Sequence, residues 1–153
     1  MKKTLCLLAV AGGFATLAAP AHAQFNKPED AIRYRQAAFV LMGNNMGRIN
    51  GQLKASTPNV QVIQQAAATI EFASKLPYEA FIPGSESGGT PPTRAKPEVF
   101  KDGDKVKQLA EKMQAEVVKL NTAAKGGDVG AIRAAFGDVG KSCKACHDDY
   151  RKE

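Results

Sequence analysis

Apolar residues recur along most of the chain at spacings of three and four, which is the period of amphipathic α-helices. Runs of β-branched or aromatic residues, which are typical of strands, are few. One apolar series follows Pro28, and another, spaced three and four throughout, ends near the C-terminus. The first series is Ile32, Phe39, Met42, Met46, Ile49 and Leu53, with one charged member, Arg35. The second series is Val129, Ile132, Phe136, Val139, Cys143, Cys146 and Tyr150. The pattern therefore predicts an all-α fold.

Local signals predict where the first two helices begin and end. The first is expected to begin near Pro28, because proline at the first helical position loses no hydrogen bond. The second is expected to begin at Pro58 with Thr57 as its N-cap, to bury Ile63, Ala67 and Ile70, and to stop before Pro77.

Two further helices follow a long connection. Residues 77–102 contain five prolines and three glycines, which excludes a long helix there. The third helix is expected to begin between Asp102 and Asp104 and to end at Gly126 and Gly127, with Asp128 capping the fourth. The residues expected inside the third helix are Val106, Leu109, Met113, Val117 and Leu120. Together these signals predict an antiparallel four-helix bundle with a long crossover loop between helices 2 and 3.

The first 23 residues show the three-part pattern of a secretory signal peptide. Two lysines at the N-terminus precede an uncharged apolar stretch from Thr4 to Ala19, and Ala21-His22-Ala23 follows. That stretch is short for a bilayer span of about 20 residues, although an uncleaved anchor is the alternative. We expect residues 1–23 to be removed and residues 24–153 to form one domain with no membrane attachment.

Cleavage changes what the composition implies. The whole chain has 21 basic and 15 acidic residues, a net charge of +6 that would suit a nucleic-acid partner. The mature part loses Lys2 and Lys3, which leaves 19 basic residues against 15 acidic ones, and these are scattered rather than clustered. No nucleic-acid partner is expected. Cys6 and His22 are also lost, so every remaining cysteine and histidine lies within residues 143–147.

Those residues form the C-x-x-C-H pattern of covalent haem attachment. On a helix, Cys143 and Cys146 share a face, so both thiols can form thioethers with the two vinyl groups of one porphyrin. His147 can then present its imidazole to the iron from the same side. We predict one covalently bound haem c per chain, with His147 as the axial ligand of the iron.

Three other uses of such a motif compete with haem attachment. A thioredoxin-like redox pair sits at a helix N-terminus in a βαβ unit, which the C-terminal position and helical context disfavour. A structural zinc site needs four ligands, and the mature part offers only three cysteines and histidines. A plain disulfide stays open, because export leads to an oxidising compartment.

With the motif on the last helix of an exported four-helix domain, the chain resembles the cytochrome c′ family, the high-spin branch of the class II c-type cytochromes. The likeness covers nearly the whole mature part. It is carried by the opening QFNKPEDA (residues 24–31), the step YRQ (34–36) and the ending CKACHDDYR (143–151). The resemblance implies a periplasmic and usually homodimeric protein that binds NO and CO and exchanges electrons with a redox partner not identified from the sequence.

The sixth coordination position of the iron depends on the first helix. Low-spin relatives have a methionine one turn after the arginine, where this chain has Phe39. Because phenylalanine has no lone pair, we expect five-coordinate iron with Phe39 in the distal pocket. The alternative is a six-coordinate electron carrier with Met42 as the sixth ligand. Met42, Met46 and Met113 also suit a role as core residues.

Two arginines are expected near the haem. Arg35 lies on an apolar face and needs an anion, which a haem propionate would supply, or else it reaches solvent past the bundle edge. By resemblance, Arg151 lies beside the proximal pocket. As an alternative, it simply favours the C-terminus of the last helix.

Three general expectations complete the prediction. No acid–base residue is visible near Phe39, so we expect no enzymatic turnover, with an NO reductase or peroxidase as the alternative. The pattern shows no large apolar patch on the surface of the first helix. A haem-free chain should have a hollow between the first and last helices.

Overall fold

The computed structural model describes residues 25–153, and within them the chain forms four α-helices. They are α1 (Pro28–Lys54), α2 (Val60–Ala73), α3 (Gly103–Gly126) and α4 (Val129–Tyr150). These residues contain no strand, only an isolated antiparallel bridge between Ala95 and Arg151. The all-α prediction is confirmed. The expected cleavage site after Ala23 lies outside the described residues.

The helices pack as two hairpins, α1 with α2 and α3 with α4, which join through α2 and α3. Direct contact between α1 and α4 is small. The main core lies between the hairpins and is mostly aliphatic. Its largest members are Met42, Ile49, Leu53, Ile63, Ile70, Met113, Val117, Leu120, Ile132 and Val139. The predicted bundle is confirmed, and most of the residues expected inside it are buried.

The α1–α2 connection differs from the prediction. Helix α2 begins at Val60 rather than Pro58, and its N-cap is Asn59 rather than Thr57. The Asn59 side-chain oxygen accepts a hydrogen bond from the Val62 backbone at 3.2 Å. The Asn59 backbone also donates to the Gln52 side chain of α1 at 2.9 Å. Asn59 thus caps α2 and ties its start to α1, which explains why the helix begins two residues late.

The α3–α4 turn has the predicted form. Gly127 adopts a left-handed conformation with φ +78°, which ends α3. The Asp128 carboxylate then accepts a hydrogen bond from Gly130 N at 2.8 Å and a longer one from Ala131 N at 3.4 Å. A short turn of this kind makes α3 and α4 antiparallel neighbours.

The long connection between α2 and α3 contains two short 3₁₀-helices, Pro77–Ala80 and Pro97–Phe100, and no long helix. Its aromatic residues join a second apolar cluster at one end of the bundle. This cluster is centred on Val99, Val106 and Tyr150, against which Tyr78, Phe81, Phe100, Leu109 and Cys146 pack. The connection is therefore part of the wall around the last turns of α4.

Helix α1 has three exposed apolar residues in a row. Phe39, Val40 and Leu41 are all exposed, with Val40 at 60%. Consecutive residues of a helix point in different directions, so these three do not form one patch, and the expectation of no large apolar patch on this helix stays a prediction. None of the described helices has both the length and the hydropathy to cross a membrane.

Candidate cofactor site

Helix α4 is continuous through the C-x-x-C-H motif. Cys143 and Cys146 are half-buried and free, with no disulfide between them. Cys143 packs against the main core, and Cys146 packs in the second cluster. Both thiols thus face the interior from one side of α4, whereas His147, the next residue, is exposed. Cys143 and Cys146 share one side of α4, as their spacing predicts, while their thioether bonds and the axial role of His147 stay predictions.

The surroundings of these side chains favour their neutral forms. Burial raises the pKa of both the Cys143 and Cys146 thiols above the ordinary value. For His147, partial burial of the ring lowers the pKa, and the nearby Arg151 guanidinium lowers it further. An imidazole that is neutral at pH 7 keeps its nitrogen lone pair for a metal ion.

The alternatives for the motif are weakened. The two cysteines form no disulfide, and the described residues contain no sheet in which a thioredoxin-like pair would sit. Between residues 25 and 153, no group of three or more cysteine, histidine and carboxylate side chains could hold a metal ion. Two thiols, one neutral imidazole and aromatic walls from Tyr78, Phe81 and Phe100 are a donor set and lining that fit haem c.

Arg35 is buried, with 2% of its surface exposed, so the alternative that it reaches solvent was wrong. Its Nη1 donates to Ala80 O at 2.9 Å and to Ser85 Oγ at 2.8 Å. Its Nη2 donates to Ser85 O at 2.5 Å and to Thr93 Oγ1 at 3.0 Å. Burial lowers the pKa of Arg35, while the charge of Glu86 opposes that shift. The propionate contact stays a prediction, and the four hydrogen bonds show a second role in holding the connection.

Aromatic side chains enclose the Arg35 guanidinium. Its central carbon lies 5.0 Å from the centre of the Phe81 ring and 5.5 Å from that of Phe100. The two rings pack edge to face, with 5.5 Å between their centres. Since both rings belong to the cluster that contains Cys146, they connect Arg35 on α1 with the motif on α4.

Phe39 and the methionines differ in burial. Phe39 lies one turn after Arg35 and is 37% exposed. Met42 and Met113 are buried in the main core, and Met46 packs against it. These positions agree with methionines that serve as core residues. The distal role of Phe39 and the ligand role of Met42 stay predictions.

Arg151 forms the C-terminal end of α4. Its backbone N–H donates to His147 O at 3.0 Å, and its side chain is exposed. Burial lowers the pKa of His147, and the positive charge of Arg151 lowers it further. The proximal role of Arg151 stays a prediction.

The expected hollow between α1 and α4 stays a prediction. A groove of about 420 Å³ lies between the connection and α3, beside Tyr78, Phe81 and Phe100. The Phe81 and Phe100 side chains pack between Arg35 and the Cys146 cluster. Sequence reasoning missed these wall residues, because a proline-rich connection has no periodicity that would identify its inward side chains.

The chain is similar to known proteins over most of its length. The family model described as Cytochrome C' matches residues 30–151. Cytochrome c' of Alcaligenes xylosoxydans xylosoxydans is 45% identical over 131 residues, which cover 85% of this chain and 99% of that protein. Among solved structures, cytochrome c' from Thermochromatium tepidum superposes with a TM-score of 0.79 at 34% identity, covering 83% of this chain and 98% of that one. A nitric oxide complex of a mutant cytochrome c prime from Alcaligenes xylosoxidans gives 0.76 at 44% identity, with 85% and 99% covered.

Proposed function

Because the chain belongs to the cytochrome c′ family, we propose that it is a periplasmic protein with one covalent haem c, which binds NO and CO and transfers electrons. When bound, the haem supplies an iron that takes up a diatomic ligand and changes its oxidation state. The observation that carries the proposal is the half-buried pair Cys143 and Cys146 on the interior side of α4, followed directly by His147. A solved relative in complex with nitric oxide supports NO as the ligand.

Covalent attachment is tested by mass spectrometry of the denatured, periplasmic protein. We expect a chain that begins at Gln24 and carries the mass of one haem. The Cys143→Ala, Cys146→Ala double variant should lose the haem on denaturation, while the matched single variant Ser142→Ala should keep it. A cytoplasmic full-length chain, or a haem-free chain with a disulfide, would contradict the proposal.

We further propose that the iron is five-coordinate. Phe39 offers no donor atom, and Met42 is buried among aliphatic core residues. The runner-up is a six-coordinate electron carrier with Met42 as the sixth ligand.

Optical and electron paramagnetic resonance spectra of the ferric protein separate the two coordination states, because thioether ligation gives a low-spin signal. We expect high-spin spectra from the wild type and from Met42→Leu alike, with Met113→Leu as the core control. Low-spin spectra that turn high-spin only in Met42→Leu would establish the alternative.

The protein is proposed to have no chemical turnover of its own. Peroxide cleavage needs a distal acid–base side chain. The residues three and four positions from Phe39 along α1 are Arg35, Gln36, Met42 and Gly43, none of which is a carboxylic acid or histidine. Steady-state consumption of NO or peroxide should not exceed that of free haem. A clearly faster rate would support the reductase or peroxidase alternative.

We also propose a homodimer that pairs through α1. One face of this helix is exposed and poor in side chains. An added Cβ at Gly43, Gly47 or Gly51 would meet nothing within 4 Å. Val40, 60% exposed, lies on the same face by helical spacing. A face of glycines next to an apolar side chain lets a second helix approach closely and bury apolar area.

A further inference from the structure

We propose that residues 93–96 form a strap that holds the last turn of α4, and that Lys96 in this strap is a positioning residue for His147. The inference rests on the proposed function, in which His147 is the iron ligand. The strap belongs to the proline-rich connection, and its residues carry no recognisable motif.

Backbone hydrogen bonds pair the strap with the last residue of α4 and the two residues that follow it. Ala95 forms an antiparallel bridge with Arg151. On either side of it, Lys96 N donates to Tyr150 O at 2.9 Å and Lys152 N donates to Arg94 O at 2.8 Å. These hydrogen bonds therefore hold the chain in place directly after the end of α4.

The Lys96 side chain binds the helix end itself. Its Nζ donates to Asp148 O at 3.1 Å and to Asp149 O at 3.0 Å. The last carbonyls of a helix have no partner within the helix and carry its negative dipole end. An ammonium group there donates hydrogen bonds to these carbonyls and compensates their negative charge. Asp148 and Asp149 directly follow His147, so Lys96 fixes the backbone next to the proposed axial ligand.

The other end of the strap is anchored to α1. Thr93 is buried, and its Oγ1 accepts hydrogen bonds from Arg35 Nη2 at 3.0 Å and from Ala95 N at 3.3 Å. Because α1 and α4 make little direct contact, the strap provides a hydrogen-bonded link between them. Thr93 and Lys96 thus link α1 with the last turn of α4, in addition to the hydrogen bond that Arg133 Nη2 of α4 donates to Leu53 O of α1 at 2.6 Å.

Three substitutions of Lys96 in the haem-loaded protein separate its hydrogen bonds from its charge. Lys96→Arg keeps charge and donors, Lys96→Gln keeps a donor without the charge, and Lys96→Met removes both. We expect roughly tenfold faster hydrogen exchange at the Lys152 amide in Lys96→Met, because a charge-assisted contact to the helix end is lost. The iron–histidine stretching band in resonance Raman spectra should shift and broaden in the same variant. Lys96→Arg should restore both readouts, and Lys96→Gln should lie between.

Lys101→Met is the matched control, since Lys101 is an exposed lysine on the same connection. Unchanged exchange and an unchanged iron–histidine band in Lys96→Met would overturn the proposal. So would equal shifts in Lys96→Met and Lys101→Met, which would indicate a general charge effect.

The wild-type protein gives a test that needs no variant. The Lys96 and Lys152 amides should be protected to the same degree as those of the last turn of α4. Fast exchange at both would refute the strap. This measurement is independent of the haem assignment: absence of haem would defeat the proposed function, while the exchange pattern would still decide the strap.

Discussion

Arg35 shows how a charged side chain can stay inside an apolar bundle. Burying an ionised group is unfavourable unless hydrogen bonds replace the lost water. Here four N–H groups donate to oxygens of Ala80, Ser85 and Thr93, and two aromatic rings cover the guanidinium. The sequence identified Arg35 as out of place in a core, and the acceptors it finds belong to a segment 45 to 58 residues away.

The contribution of Arg35 to stability can be measured against that of its exposed neighbour. Arg35→Met should lower the free energy of unfolding by about 3 kcal/mol, because buried oxygens lose their donors. Arg33→Met removes an exposed ion pair with Asp30 and should change it by less than about 1 kcal/mol. Denaturant unfolding of the haem-loaded variants gives both values. Equal losses would contradict a structural role for the buried guanidinium.

A second prediction at the scale of a single residue concerns Phe39. If its ring covers the open face of the iron, Phe39→Ala should accelerate CO association, because a small apolar ligand then meets no ring in its path. The control is Val40→Ala, since the next residue on a helix points about 100° away and Val40 is more exposed. Flash photolysis of the CO complex measures the rate. Equal rates in wild type and Phe39→Ala would place the ring away from the distal face.

At the scale of elements, the α3–α4 turn offers a matched pair of adjacent glycines. Gly127 has φ +78°, a conformation that costs a residue with a Cβ about 1–2 kcal/mol. Gly126 is helical, and a Cβ there would meet nothing within 4 Å. Gly127→Ala should therefore destabilise the protein by that amount, whereas Gly126→Ala should leave stability unchanged or raise it by up to about 1 kcal/mol. Thermal or denaturant unfolding checks the difference, and the reverse order would refute the assignment of the turn.

Helices whose ends carry local signals were predictable from the sequence. Pro28, Gly127 and Asp128 act through backbone geometry within a few residues, and the structure has each in its expected role. The start of α2 was missed because Asn59 competes with Thr57 as the cap and is also tied to Gln52 of α1. That second contact spans seven residues and two elements, which a local pattern does not reveal.

For the molecule as a whole, some residues of the site were predictable from the sequence and others were not. The motif residues lie within five positions of one helix, so their spacing alone predicts the chemistry proposed for them. Phe81, Phe100, Thr93 and Lys96 meet α1 and α4 only because the connection folds back over the end of the bundle. Non-local placement of this kind depends on the packed fold, so these residues could not be identified before it was known.

The proposed dimer is a property of the whole molecule that a single surface residue should control. Gly47 lies in the middle of the exposed glycine face of α1, and a lysine there would add bulk and charge where a second helix is expected to approach. Gly47→Lys should therefore shift the protein from dimer to monomer at micromolar concentration. Gly137→Lys makes the same change at an exposed, open position of α4 and should leave the dimer intact. Sedimentation equilibrium distinguishes the two variants, and a dimer that survives Gly47→Lys would show that α1 does not form the interface.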